Sequence, residues 1–331
     1  MGIRLADSGL VIDGRGVRAT LARGVDTVLR GISQVMLQDN SYAGALFVIG
    51  IAWNSWLFAV AALVGCGVSS ATAALLGMDP AKVRAGLYGF NGALVGIALL
   101  YFLAPNALTW LALVLATACS TVVMAALETL LARWRLPAFT APFVFVSWCF
   151  FLVTARFGRL TATALLPAAG LPHGTPVEGV VGLATVAQGL FNGIAEVFFQ
   201  ANVITGVLFA LGLALASWRI ALAALAGALS GLLVAWLMGA AEPAIRAGAF
   251  GFNGVLVAIA LAGALGVGNG RRAAYALMAL LATPFVYAAL SAALQPFGIP
   301  ALTFPFVLVT WTFLAALPAL TPRDHTAADP G

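Results

Sequence analysis

Leu136-Pro137-Ala138-Phe139-Thr140-Ala141-Pro142-Phe143 recurs later in this chain as Ile299-Pro300-Ala301-Leu302-Thr303-Phe304-Pro305-Phe306. Each copy opens an apolar run that carries a tryptophan, Trp148 or Trp311. Two prolines five residues apart forbid regular helix at the mouth of such a run, because each ring removes a backbone donor and crowds the preceding turn. A chain that places this break twice inside apolar sequence must satisfy the freed backbone groups from within. At membrane depth, irregular backbone is tolerated only against protein or beside a water-filled path.

The repeat extends well beyond these eight residues. Gly31-Ile32-Ser33-Gln34-Val35-Met36-Leu37-Gln38-Asp39-Asn40 matches Gly193-Ile194-Ala195-Glu196-Val197-Phe198-Phe199-Gln200-Ala201-Asn202, and Gly89-Phe90-Asn91-Gly92 returns as Gly251-Phe252-Asn253-Gly254. From Gly31 to Phe102 the halves align without a gap, with about thirty identities in about seventy positions, more than shared hydrophobicity gives. The chain is therefore read as a duplication: a segment 1–30, a first repeat 31–160, a linker 161–180 rich in Gly, Pro, His and Thr, a second repeat 181–320, and a polar tail 321–331.

With 63% hydrophobic and 8% charged residues, the chain lacks the polar surface that a soluble protein presents. It reads as an all-α integral membrane protein. Uncharged runs at 41–78 and 85–127 each allow two crossings at about twenty residues per crossing, and Leu136 to Ala155 allows a fifth. The second half offers five more, about 203–218, 220–241, 247–268, 273–293 and 299–320. Two segments ahead of these runs, Arg18 to Ser33 and Val180 to Ala195, are too short and polar to cross alone and read as re-entrant helices.

Five is odd, so if both halves fold alike, the second enters the membrane from the opposite side. Such inverted repeats place the substrate path at the pseudo-two-fold axis, where interrupted helices meet. Arginine placement agrees. With a cytoplasmic N-terminus, Arg4, Arg15, Arg18, Arg23, Arg30, Lys82, Arg84, Arg133, Arg135, Arg219, Arg271, Arg272 and Arg323 fall inside, and Arg156, Arg159 and Arg246 fall outside. The net charge of +5 then reports membrane orientation. A nucleic-acid partner would need these bases clustered on one surface with stacking aromatics, whereas they are spread through loops.

The first thirty residues are too charged for a signal-peptide core and show no small-residue cleavage pattern, so they are expected to stay attached. Cys66, Cys119 and Cys149 sit in apolar runs without CxxC spacing and read as buried packing residues. His173 falls in the linker and His325 in the tail, so no set of metal ligands is apparent, and no phosphate loop, nucleotide fingerprint or nucleophile elbow suggests a cofactor or an enzyme. Asn91 and Asn253 read as caps or interhelical hydrogen bonders. Glycines such as Gly86, Gly89 and Gly92 read as sites of close helix packing.

One acidic residue, Glu196, is placed by the repeat inside the membrane opposite Gln34, where a carboxylate is costly and is usually retained for function. Glu128, near Arg133 and Arg135, reads instead as a solvated interface charge. An ion-coupled transporter would share inverted repeats and broken helices but normally carries several intramembrane charges. A hydrolase using Glu196 as base would need a partner His, a second carboxylate or a metal set.

The paired LPxxTxPF-type signatures, the duplicated GFNG and the Gln34 and Glu196 segments resemble the urea transporter family, in its bacterial branch, from about Thr27 to Leu320. The resemblance implies a homotrimer with one pore per subunit passing urea down its gradient; the chain is expected in the bacterial inner membrane, with both termini cytoplasmic by the arginine placement. Carried over residue by residue, Gln34 and Glu196 fall on acceptor positions at the two ends of a filter, and Thr140 and Thr303 on its central hydroxyls. Phe90, Phe252, Leu94 and Leu256 fall on the slot walls, and Val197 and Phe199 follow Glu196. Leu37 departs from the pattern: the second half has Phe199 at its equivalent, so the aromatic clamp is expected to be complete at the Glu196 end and partly aliphatic at the Gln34 end. A channel for another small neutral solute, such as ammonia or a short amide, would use similar oxygens.

Overall fold

The computed structural model describes residues 2–14, 16–266 and 270–320; the expected polar tail, with Arg323 and His325, lies outside the described residues, as does Arg15. An antiparallel hairpin, β1 (Gly2–Ala6) and β2 (Gly9–Asp13), precedes fourteen α-helices. The first half comprises α1 (Val17–Gln34), α2 (Ser41–Asn54), α3 (Trp56–Leu75), α4 (Pro80–Arg84), α5 (Gly89–Phe102), α6 (Ala107–Leu131) and α7 (Ala141–Val153). The second repeats that order as α8 (Leu183–Ala195), α9 (Val203–Ala216), α10 (Trp218–Leu237), α11 (Glu242–Arg246), α12 (Phe252–Leu265), α13 (Gly270–Leu294) and α14 (Phe304–Leu320). Each half therefore holds one leading helix, five apolar helices and one five-residue helix.

Among the described residues, only α3, α6, α10 and α13 are long and apolar enough to cross a membrane alone. The uniform spans of about twenty residues expected from the sequence do not appear, and the reason is local. At 14 residues, α2, α5, α9 and α12 are each about 21 Å long, short of a hydrocarbon core of about 30 Å. The leading helix α8 and the following α9 meet at a bend of 74°, the geometry of a broken span or of a re-entrant segment. The breaks are set by left-handed residues repeated between the halves: Leu37 (φ 58°) with Phe199 (φ 60°), Phe139 (φ 50°) with Leu302 (φ 53°), and Arg135 (φ 54°) with Gly298 (φ 65°). Five of these six carry side chains, at about 1–2 kcal/mol each for an L-residue in this region. Their recurrence at equivalent positions makes them part of the architecture.

The halves are related by a two-fold axis lying across the helices. Helix α2 packs on its own counterpart α9: a Cβ on Gly50 would meet the Phe209 ring at 2.8 Å, and a Cβ on Gly212 would meet Phe47 at 2.7 Å. Residue 50 faces 209 and residue 47 faces 212, so the two helices run antiparallel. Equivalent elements that pack antiparallel require an axis perpendicular to the bundle, which is the inverted-repeat arrangement. Phe47, Phe198 and Phe209 stack between the halves at centroid distances of 5.0–5.8 Å.

Each half is held together by a glycine crossing. A Cβ on Gly65 of α3 would lie 2.2 Å from the carbonyl oxygen of Gly92 on α5, and its counterpart Gly227 on α10 would meet Gly254 of α12 at the same distance. In an apolar surround, helices associate through packing more than through expulsion of water, and small residues allow that approach. Of the cysteines, Cys66 is buried as expected, but Cys119 and Cys149 are exposed on the outward faces of α6 and α7 and are not packing residues. A Gly227→Val change drives a side chain into backbone that cannot turn aside. It is expected to destabilise by the upper end or more of the about 1–3 kcal/mol typical of overpacking. Gly263→Ala, which meets nothing within 4 Å, should leave the thermal transition of the detergent-solubilised protein in place. Equal transitions for the two variants would refute the crossing.

Candidate functional site

The two Pro-Thr-Pro breaks meet at the interface of the halves. Thr140 and Thr303 are both buried, at 1% and 3% exposure, and their hydroxyls lie 2.6 Å apart. On either side the halves exchange hydrogen bonds: Trp148 Nε1 donates to the Pro300 carbonyl and Trp311 Nε1 to the Pro137 carbonyl, both at 2.8 Å. The sequence placed these tryptophans in the runs that follow the breaks, and the fold uses each to satisfy the opposite break.

Within each half an asparagine of GFNG holds the break open. Asn91 Nδ2 donates to the Phe139 carbonyl at 3.2 Å, while its Oδ1 accepts from the Phe143 N–H at 3.0 Å. Asn253 repeats both bonds, to the Leu302 carbonyl at 3.3 Å and from the Phe306 N–H at 3.0 Å. These are the interhelical roles expected for the two asparagines. The donor and acceptor that the break leaves unpaired are supplied by one amide.

The leading helices end in a second matched device. After Gln34 and after Glu196 the chain turns through left-handed Leu37 and Phe199. Gln38 Nε2 then bonds the Met36 carbonyl at 2.9 Å, and Gln200 Nε2 bonds the Phe198 carbonyl at 2.7 Å. This holds Gln34 and Glu196 at equivalent points of the two halves. Gln34 Nε2 donates to the Ala85 carbonyl at 3.0 Å, which leaves its Oε1 as the free end. Glu196 is partly exposed, and its carboxylate has no hydrogen-bond donor among the described residues.

Two cavities occupy repeat-related places in the halves. One, of about 400 Å³, is lined by Asp26, Arg30, Asp39, Arg84 and Ala85, with Leu10 and Ile12 of the hairpin. The other, of about 520 Å³, is lined by Gln188, Asn192, Glu242, Arg246 and Ala247. The hairpin is seated by the Asp26 carboxylate, which accepts from the Leu10 N–H at 3.0 Å, and by Ser8, whose carbonyl accepts from the Ser41 N–H at 2.9 Å. Arg30 pairs with Asp26 at 2.7 Å and also with Asp39. Facing the second cavity, Glu242 accepts from the Thr185 hydroxyl and pairs with Arg246 at 2.7 Å. The Thr185 hydroxyl and then the Arg246 guanidinium hold its carboxyl below the ordinary carboxylate range.

Of the remaining expected residues, Leu94 and Leu256 are fully buried, Val197 and Phe90 nearly so, and Leu37 and Phe252 are partly exposed. Phe199 stacks on Tyr101 at 5.3 Å, Phe102 at 5.8 Å and Phe143 at 6.2 Å, and Phe252 on Tyr287 at 5.7 Å. Leu37, the repeat counterpart of Phe199, instead borders an open space with Gly263 and Ala264. Tyr101 and Tyr287 both lie within electrostatic range of Glu196 and were not singled out from the sequence. Their repeat counterparts are Gly263 and Met124, so an unequal pairing across the repeat was the available signal. Glu128 pairs with Lys82 at 3.0 Å and accepts from the Tyr88 hydroxyl at 3.3 Å, away from the threonine pair, as an interface charge.

Comparison with known proteins follows the same outline. Residues 25–318 match the family described as Urea transporter. Urea transporter 1 of Ovis aries and that of Capra hircus are each 32% identical over 295 residues, covering 88% of this chain and 76% of theirs. Urea transporter 1 of Rattus norvegicus is 30% identical over 294 residues with the same coverage.

Two outcomes follow from this geometry. Asn253→Leu strips partners from a buried carbonyl and a buried N–H, at about 1–3 kcal/mol per group, and should lower the thermal transition by more than Asn54→Leu, whose one bond is to a side chain. Equal shifts would show that the break is held by other contacts. For Glu242, the depressed folded pKa means that its tie to Thr185 and Arg246 is present above the unfolded carboxylate value of about 4.3 and is lost as pH falls through the folded value. Acidification through that window should destabilise the wild type more than Glu242→Gln, and parallel pH profiles would remove the carboxylate from the account.

Proposed function

The chain belongs to the urea transporter family, and on that premise we propose that it carries urea across the membrane passively, as a channel, along a row of oxygens from one cavity to the other. The observation that carries the reading is the pair of repeat-related acceptors, Gln34 Oε1 and the Glu196 carboxylate, both without a donor among the described residues, together with the two buried facing hydroxyls of Thr140 and Thr303.

Urea is planar and neutral, with four N–H donors and one carbonyl. Leaving water strips those donors, and an unmatched polar group in an apolar surround costs on the order of 2–7 kcal/mol. The Gln34 amide oxygen, the Thr140 and Thr303 hydroxyls and the Glu196 carboxylate replace the lost acceptors in sequence. Walls from Phe90, Leu94 and Leu37 at one end, and from Phe252, Leu256, Val197 and Phe199 at the other, select a flat solute by shape. Each aromatic contact contributes only about 0.5–1.5 kcal/mol, which suits a conduit whose sites must release what they hold. Hydrated ions are excluded because the row offers too few ligands to replace a hydration shell.

The unequal ends divide the work. The Glu196 end combines a carboxylate with stacked rings and is the tighter site, whereas Gln34 and Leu37 make a looser one. The proposal includes the assembly and sidedness implied by family resemblance and arginine placement: a homotrimer in a bacterial cytoplasmic membrane, with both termini inside and the Gln34 cavity facing the cytoplasm.

Purified protein in liposomes should give saturable urea flux that a protonophore and sodium removal leave unchanged. Glu196→Gln should raise the half-saturating concentration, and Thr303→Val, which replaces a central hydroxyl by a methyl, should cut the maximal flux tenfold or more, since about 1.4 kcal/mol of added barrier is a factor of ten. Accumulation against a urea gradient that collapses with the protonophore would make the protein a coupled transporter. Wild-type kinetics in both variants would refute the site.

A further inference from the structure

The two halves differ most beside Leu37. At the Glu196 end, Tyr101 packs on Phe58, Phe102 and Phe199 at 4.9–5.9 Å, and Phe102 packs on Phe151 at 5.0 Å, so that five rings fill the space. The repeat replaces Tyr101 by Gly263 and Phe102 by Ala264, and the three other rings by Ile220, Leu314 and Leu37. What rings occupy in one half is a cavity of about 330 Å³ in the other, bounded by these five residues and by Gln38 and Phe139.

The cavity also holds an unanswered acceptor. Gln200 Oε1 receives a hydrogen bond from Asn54 Nδ2 at 2.8 Å. The counterpart of Asn54 is Ala216, so Gln38, which lines the cavity at 8% exposure, has no donor for its Oε1 among the described residues. Its Nε2 is committed to the Met36 carbonyl at 2.9 Å, which fixes the orientation of the amide. An accessible acceptor without a donor among the described residues, beside an open apolar space of ring size, suits a ligand with both features.

We propose that this cavity binds one planar aromatic molecule bearing an N–H donor, of the N-phenylurea class. The ring takes the place that Tyr101 and Phe102 take in the other half, and the N–H donates to Gln38 Oε1. Because the cavity adjoins Leu37 and Phe139, next to Gln34 and Thr140, the occupant stands beside the proposed urea path at the Gln34 end alone. The inference deepens that reading, but binding is measured without it.

Calorimetric titration of N-phenylurea and of toluene into the purified protein, paired with urea flux in liposomes without either compound, tests the site. The wild type should bind N-phenylurea at one site per chain. Gly263→Tyr, whose added side chain starts from open space, should weaken binding tenfold or more, with urea flux retained; Ala264→Phe is the second filling variant should the first fail to fold. Ala216→Asn, which supplies the donor that Asn54 gives Gln200, should weaken N-phenylurea and leave toluene unchanged. Normal urea flux with no N-phenylurea binding, or unchanged binding in a folded filling variant, would overturn the proposal. If toluene binds as well as N-phenylurea and Ala216→Asn affects neither, the cavity is an apolar lipid site and the proposal fails. Absence of urea flux from the folded, inserted wild type would count against the transport reading alone.

Discussion

Irregular backbone inside an apolar bundle must have every N–H and carbonyl answered, and the rest of this fold depends on how that is done. Each Pro-Thr-Pro break leaves groups that its own helix cannot pair. One asparagine per half, Asn91 or Asn253, answers an acceptor and a donor together, and one tryptophan per half answers a carbonyl in the opposite half. Removing the second half would leave the Pro137 carbonyl without its Trp311 donor, and removing the first would do the same to Pro300. Neither break is complete in an isolated half, so their pairing fixes where the halves meet and brings Thr140 to Thr303.

The pairing also explains why helices too short to cross are tolerated. A helix of about 21 Å ends inside the bilayer, and its terminal carbonyls need partners there. The left-handed turns at Leu37, Phe139, Phe199 and Leu302 redirect the chain, and Gln38 and Gln200 cap the carbonyls so exposed. The strain at Leu37 and Phe199 is held by these bonds, and its consequence is that Gln34 and Glu196 end the leading helices without a charged partner among the described residues. Strain stored where a ligand is handled is a general feature of functional sites.

Much of this was legible in the sequence because duplication compares the chain with itself. The doubled Pro-Thr-Pro pattern, the GFNG pair and the matched Gln34 and Glu196 segments located the breaks and the two acceptors, and the odd number of apolar runs implied inversion. Three things were less legible, each for a physical reason. Helix lengths departed from about twenty residues because hydropathy does not register where extended Ser55 and Ser217 end α2 and α9 inside apolar sequence. The hairpin at Gly2–Asp13 has no apolar alternation strong enough to signal strands, and its seat on Asp26 and Ser41 is tertiary. Cys119 and Cys149 read as buried because in a membrane protein an apolar run says nothing about which face looks outward.

The departures from the repeat carry as much information as the matches. A symmetrical pore would present the same barrier from both ends, and its two sites would compete equally for a solute. Here Phe199 with Tyr101 and Phe102 forms a packed wall beside Glu196, whereas Leu37 with Gly263 and Ala264 leaves open space beside Gln34. Packed rings hold their positions, because displacing one disturbs several neighbours at once. The glycine and alanine surfaces offer no comparable support, and Leu37 is free to yield. On the proposed path, a solute moving between the ends passes from a rigid, strongly accepting site to a compliant one. In the channel we propose, passive transport at equilibrium is indifferent to direction, but occupancy is not, and the proposal puts the longest retention at the carboxylate end.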